Sequence, residues 1–117
     1  MKNSHKRKVY IVYFLYYDNY KYNNNVFETA LFKTKKAATE YLIVTAFKLF
    51  ITEEINNCED YKKDEYEHYF IRNEYGEATH LKDEYKTLEV IDILKDQFCE
   101  GYDVPTTFDY FMEILYL

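Results

Sequence analysis

Glycine, serine, cysteine and proline are scarce in this chain, and most of these scarcities exclude a class of chemistry. With two glycines, Gly76 and Gly101, among 117 residues, no glycine-rich loop of the kind that cradles phosphates can be built. Ser4 is the single serine and belongs to the polar N-terminal stretch MKNSHKRK, so it joins no nucleophile–base pattern. Cys58 and Cys99 stand in neither a CxxC nor a zinc-finger spacing. Both sit among acids, in NNCEDY and QFCEGY, where negative neighbours disfavour the thiolate. Two unpatterned thiols fit a reducing compartment. No catalytic constellation emerges, and no cofactor is expected.

Long apolar runs are also missing. The stretch from Tyr41 to Ile51 is interrupted by Thr45 and Lys48 and is too short to cross a bilayer. The earlier run, Val9 to Tyr17, is followed by Asp18-Asn19 rather than by a small-residue cleavage site, which argues against a secretory signal. The expectation is a soluble, intracellular protein with no membrane partner. Hydrophobic residues at 48%, with a single proline, argue against disorder. The length suits one domain able to bury a core, residues 9–117 behind a basic tail at 1–8.

What is abundant is tyrosine. YIVYFLYYDNYKYNNN, residues 10–25, holds six of the fifteen. Lysine outnumbers arginine thirteen to two, and Tyr, Asn, Ile, Phe and Lys are all frequent. These residues have A/T-rich codons, so tyrosine number alone is weak evidence of a binding surface. Charge is uneven along the chain. Residues 1–52 carry nine Lys/Arg against three Asp/Glu, and residues 53–103 carry six against sixteen. Such polarity points to a charged partner or to self-contact.

Val9 to Tyr17 is β-branched and aromatic on both alternating faces, the composition of a strand. The Asn/Asp-rich DNYKYNNN supplies a turn, and VFETALF reads as the second strand of a hairpin. Thr34 is placed as the N-cap of a long helix from Lys35 to about Asn56, apolar on more than one face and hence the central buried element. Asp60 to Phe70 is expected to be helical and to continue less firmly toward Gly76, the rival being a hairpin, HYFIRNE-YG-EATHLK. Leu88, Ile91, Leu94 and Phe98 form a helical stripe. Thr106 to Leu117 reads as a short closing helix, with Asp109 three residues after a threonine and Phe108, Phe111, Met112 and Leu115 along one side. The fold class is α+β: an N-terminal β-hairpin packed on a long buried helix, with two or three further helices. The free edges of such a hairpin favour a homodimer.

The segment VFETALFKTKKAATEYL resembles small phage and viral proteins that place a hairpin before a helix beginning FxTxxxAxxYL. The resemblance spans residues 9–43. It implies a viral accessory protein working in the cytoplasm of a host cell and assigns no active site.

Three constellations remain. Glu65-Tyr66-Glu67-His68 and Glu77-Ala78-Thr79-His80 are both E-x-x-H, a di-metal spacing on facing helices. They are too close in sequence for that, so no metal is expected. Acidic rows along a helix, Asp60, Asp64, Glu65 and Glu67, approximate phosphate spacing and can mimic nucleic acid toward a basic host defence protein. Direct nucleic-acid binding is disfavoured by the acidic body. Finally, Tyr16, Tyr17, Tyr20 and Tyr22 are rigid amphipathic anchors of the type enriched at interface centres. The expected function is therefore non-catalytic, through binding of a host or viral protein. The alternative is a small-ligand protein of nucleotide type, or a weak enzyme, with an aromatic pocket.

Overall fold

The structure, a computed structural model, describes residues 7–18, 23–58, 60–99 and 106–117. Two strands open it, β1 (Lys8–Asp18) and β2 (Asn23–Phe32), paired antiparallel as a hairpin. Opposite Tyr13 the register shifts by one residue, between Val12 and Phe14, a bulge of the kind that bends a strand and sharpens its twist.

Thr34 caps the long helix as expected: its hydroxyl accepts from the Ala37 amide at 3.1 Å. Helix α1 (Lys35–Ala46) continues through a π-helical turn, Phe47–Ile51, into α2 (Thr52–Asn57). In that turn the Thr52 amide donates to the Phe47 carbonyl, five residues back instead of four, and the Thr52 hydroxyl donates to the Lys48 carbonyl at 2.7 Å. The widened turn keeps Leu42, Ala46, Phe47, Ile51 and Ile55 on the buried side while Lys48 and Leu49 face water. Phe50, on the same turn, stacks on Phe108 at 4.6 Å and approaches Phe14 and Tyr16 at 5.6 and 6.0 Å. This ring joins the helix layer to the sheet.

Helix α3 (Asp60–Glu65) is short. The helical reading beyond it is overturned from Phe70 onward, where β3 (Phe70–Arg72) and β4 (Ala78–Leu81) form a second hairpin. Turn chemistry decides it. The Asn73 side chain accepts from the amides of Tyr75 and Glu77, each at 3.0 Å, and Gly76 takes φ +79°, a conformation costly to any other residue. The Asn56 side-chain amide then pairs with the backbone of Ala78 in both directions, accepting at 2.9 Å and donating at 3.3 Å. Asn56 thus ties the end of the long helix to β4 as a strand neighbour would. Helix α4 (Leu88–Phe98) buries Val90, Ile91, Leu94 and Phe98, as its stripe requires.

The largest correction is at the C-terminus. Residues Thr106–Tyr116 form β5, not a helix, and β5 pairs antiparallel with β1 along its whole length, Lys8 against Tyr116 and Asp18 against Thr106. The sheet order is β2-β1-β5, which makes β1 the central strand. The fold is α+β, with the N-terminal hairpin packed on the long buried helix and two further helices. Its core gathers Val12 and Phe14 of β1, Phe108 of β5, and apolar residues of α1, α2, β3, β4 and α4.

Candidate functional site

Strand alternation divides the three-stranded sheet into two unequal faces. On the inner face Val12 and Phe14 are fully buried, and Tyr10, Tyr16, Phe32, Tyr110 and Met112 pack against the core. The outer face carries Ile11, Tyr13 and Leu15 of β1, Phe111 and Leu115 of β5, and Leu31 of β2. None of these joins the core cluster. Leu31 is 60% exposed, Leu115 39% and Phe111 38%, whereas Ile11, Tyr13 and Leu15 of the central strand are half-buried and Val9, opposite Leu115, is buried; among the described residues no layer lies over the three exposed ones. A central strand apolar on both faces belongs in a sheet covered on both sides. Among the described residues only one cover is present.

Three polar groups on the outer face, Tyr13, Glu113 and Asp109, are engaged within the chain. The Tyr13 ring stacks on Phe111 at 5.0 Å, and its hydroxyl donates to Glu113 Oε1 at 2.6 Å. That hydrogen bond to an anion, aided by burial and by the carboxylate's charge, raises the tyrosine's pKa. Asp109 receives Lys95 Nζ at 3.3 Å from α4. The surface left over is mainly aliphatic and aromatic, with polar groups held at its rim.

The residues singled out from sequence fare unequally. Tyr16 lies on the inner face against Phe50, where it fills the core edge. Tyr17 and Asp60 are located by backbone alone, in β1 and α3. Tyr20 and Tyr22 lie outside the described residues. Of the acidic row, Asp64 and Glu67 both meet Arg72, at 3.2 and 3.0 Å, so this guanidinium offsets part of the negative row and leaves Glu65 exposed beside it. Nothing in the sequence marks Arg72 as a hub; it lies inside a segment that reads as helix, and only the β3–β4 hairpin carries it to α3.

The E-x-x-H pairs are not assembled. His68 packs on Tyr69 at 3.9 Å and meets Tyr85 edge-on at 5.8 Å. His80 sits on β4 with Nδ1 2.9 Å from the Thr79 hydroxyl. Glu77 lies in the hairpin turn, where its Oε1 accepts from Asn73. Among the described residues no group of three or more His, Cys, Asp or Glu is placed to hold a metal ion. The cysteines are free thiols: Cys99 is fully buried, and Cys58 Sγ donates to the Ile55 carbonyl at 3.1 Å. One buried acid carries no signal in the sequence pattern. Glu54 on α2 is 7% exposed, and burial, with the nearby charge of Glu53, pushes its carboxyl up to about 7. No helix among the described residues is long and apolar enough to cross a membrane.

Comparison with protein-family models, with curated proteins and with solved structures returns no match for this chain.

Proposed function

We propose that the chain is a non-catalytic accessory protein, of the viral type suggested by residues 9–43, that works by protein–protein contact. The outer face of the β2-β1-β5 sheet is its contact surface, and a second copy of the chain is its first occupant. One observation carries this reading: Ile11, Tyr13, Leu15, Phe111, Leu115 and Leu31 line one side of the sheet, none of them joins the core, and among the described residues no layer lies over them.

Size and charge favour a second copy. Eleven residues at about 3.3 Å each, across three strands about 4.8 Å apart, give a footprint of roughly 500 Å² before side-chain relief is added. A standard interface takes roughly 800 Å² of accessible surface per partner, so this face with its rim is of the right order. Asp109 is matched by Lys95, which limits like-charge repulsion between two such faces, while Glu113 keeps its charge but has an oxygen engaged by the Tyr13 hydroxyl. A partner recognised mainly by charge would require unmatched groups here.

The rival, a small-ligand pocket, draws less support. The most enclosed of three depressions, between α1 and β4, measures about 90 Å³, against the roughly 300 Å³ at which ligand pockets begin; the two larger ones, about 420 Å³ at Asp92–Asp96 and about 340 Å³ along Tyr41–Leu49, are open to solvent.

Light scattering on the purified chain tests the proposal. A dimer is expected at about 10 µM, with Phe111→Glu and Leu115→Lys giving folded monomers, because both side chains project away from the core. A wild-type chain that stays monomeric at that concentration, or variants that dimerise unchanged, overturns it.

A further inference from the structure

A second surface, independent of the sheet face, lies where α1 and its π-helical turn meet β4. Ile43, Val44, Phe47 and Leu81 form the walls of the 90 Å³ pocket there. Three of these are core residues seen from outside, whereas Val44 is 48% exposed at the mouth. Lys48, Thr79, His80 and Lys86 complete the lining, and among the described residues no carboxylate does. In a chain of net charge −6 that is a local inversion of sign. Lys86 shares its charge with Asp83 at 2.9 Å. Lys48 is exposed and has no acid within ion-pair distance among the described residues. The Thr79 hydroxyl, 2.9 Å from His80 Nδ1, steadies the imidazole at the rim. Val44 and Lys48 also border a shallow depression that runs along α1 past Tyr41 and Leu49.

From this geometry we infer that the α1–β4 pocket is a docking site for a short acidic segment of another protein, which inserts one leucine- or phenylalanine-class side chain between carboxylates. The volume equals about three waters of liquid, room for one such side chain and little else. A free small molecule filling it would gain few contacts, since affinity per atom is bounded. A peptide continues along the Tyr41–Leu49 depression and adds apolar contact there. Charge supplies the rest: Lys48 stands at the mouth, where a carboxylate beside the inserted side chain would meet it, and such complementarity raises both capture rate and selectivity.

Fluorescence anisotropy on the full chain tests this with three labelled peptides: Asp-Glu-Leu-Glu-Asp, the same peptide with Ala for Leu, and the same peptide with Asn and Gln for the acids. The leucine peptide is expected to bind at least about tenfold more tightly than either control, a difference of about 1.4 kcal/mol. Lys48→Glu is expected to weaken it at least about tenfold and Lys48→Gln by less. Lys33→Glu, the same charge change just ahead of the Thr34 cap and roughly 20 Å from Lys48 at 1.5 Å per helical residue, is expected to leave it within about twofold. Because Lys48 is exposed, its variants should melt with the wild type. Equal binding of the alanine peptide, equal losses for Lys33→Glu and Lys48→Glu, or no binding below about 1 mM overturns the proposal. Loss of self-association in Lys48→Glu by light scattering also overturns it, by assigning the pocket to a second copy.

Discussion

Glu54 shows how one side chain can set the acid–base behaviour of the fold. Its carboxyl is buried on α2 beside Glu53 and titrates near 7 instead of its ordinary 4.5. In the unfolded chain it ionises near 4.5, so between that value and about 7 the folded state holds a proton that the unfolded state has released. Stability therefore falls as pH rises through this window and levels off above it. At about 1.4 kcal/mol per pKa unit, the penalty at pH 8 has a ceiling of about 3 kcal/mol. Glu54→Gln removes the ionisation while keeping the shape. Urea melts should show the variant more stable than wild type at pH 8 and level with it near pH 4.5; an equal gain at both values would trace the effect to packing instead. Tyr110 has a different environment. Burial first, then its hydrogen bond to Asp92, raises its pKa beyond any physiological range, so it remains a neutral donor linking β5 to α4.

Elements with a single dominant period are legible in the amino-acid pattern alone. β1 is β-branched and aromatic throughout, α4 repeats its apolar residues every three or four positions, and Thr34 stands where the first helical turn needs an acceptor. β5 is not legible in this way because its sequence satisfies two periods. Phe108, Phe111, Met112 and Leu115 suit a helix, whereas Phe108, Tyr110, Met112 and Ile114 suit the inner row of a strand. The tie is broken outside the segment, by an apolar β1 whose second edge would otherwise be unpaired. β3 and β4 are obscured by their brevity, and only Asn73 and Gly76 announce the turn. The outer sheet face is recognisable as a candidate surface only with β5 in place, since two of its six apolar residues, Phe111 and Leu115, belong to that strand. Two variants probe these elements. Phe108→Ala, which removes a 3% exposed ring stacked on Phe50, should cost about 3–5 kcal/mol in urea unfolding. Arg72→Ala releases Asp64 and Glu67 from the β3–β4 hairpin; because those pairs are partly exposed, the global cost is about 1 kcal/mol or less. Amide exchange in α3 should nonetheless rise well above that in α4, and unchanged protection of α3 would show that the guanidinium does not hold it.

At the scale of the whole molecule, the sequence's basic front and acidic back do not remain apart. α1, with Lys35 and Lys36 in its first turn, packs against the acidic α4, and β1 from the first half is hydrogen-bonded along its length to β5, which follows the acidic stretch. The proposed self-association then depends on which surface is uncovered rather than on an overall dipole. This separates two modes of self-assembly by their response to salt. Head-to-tail pairing of opposite charges weakens as ions screen it, because exposed charges lose their reach beyond about 10 Å at 0.1 M. Packing of two apolar sheet faces has no such dependence, and screening relieves the mutual repulsion of two chains that each carry net charge −6. Raising NaCl from about 50 mM to about 500 mM should therefore leave the dimer's dissociation constant unchanged or lower it, as measured by sedimentation equilibrium. The same change should loosen the acidic peptide at Lys48. A dimer that dissociates with added salt would move its interface off the sheet and onto the charged segments.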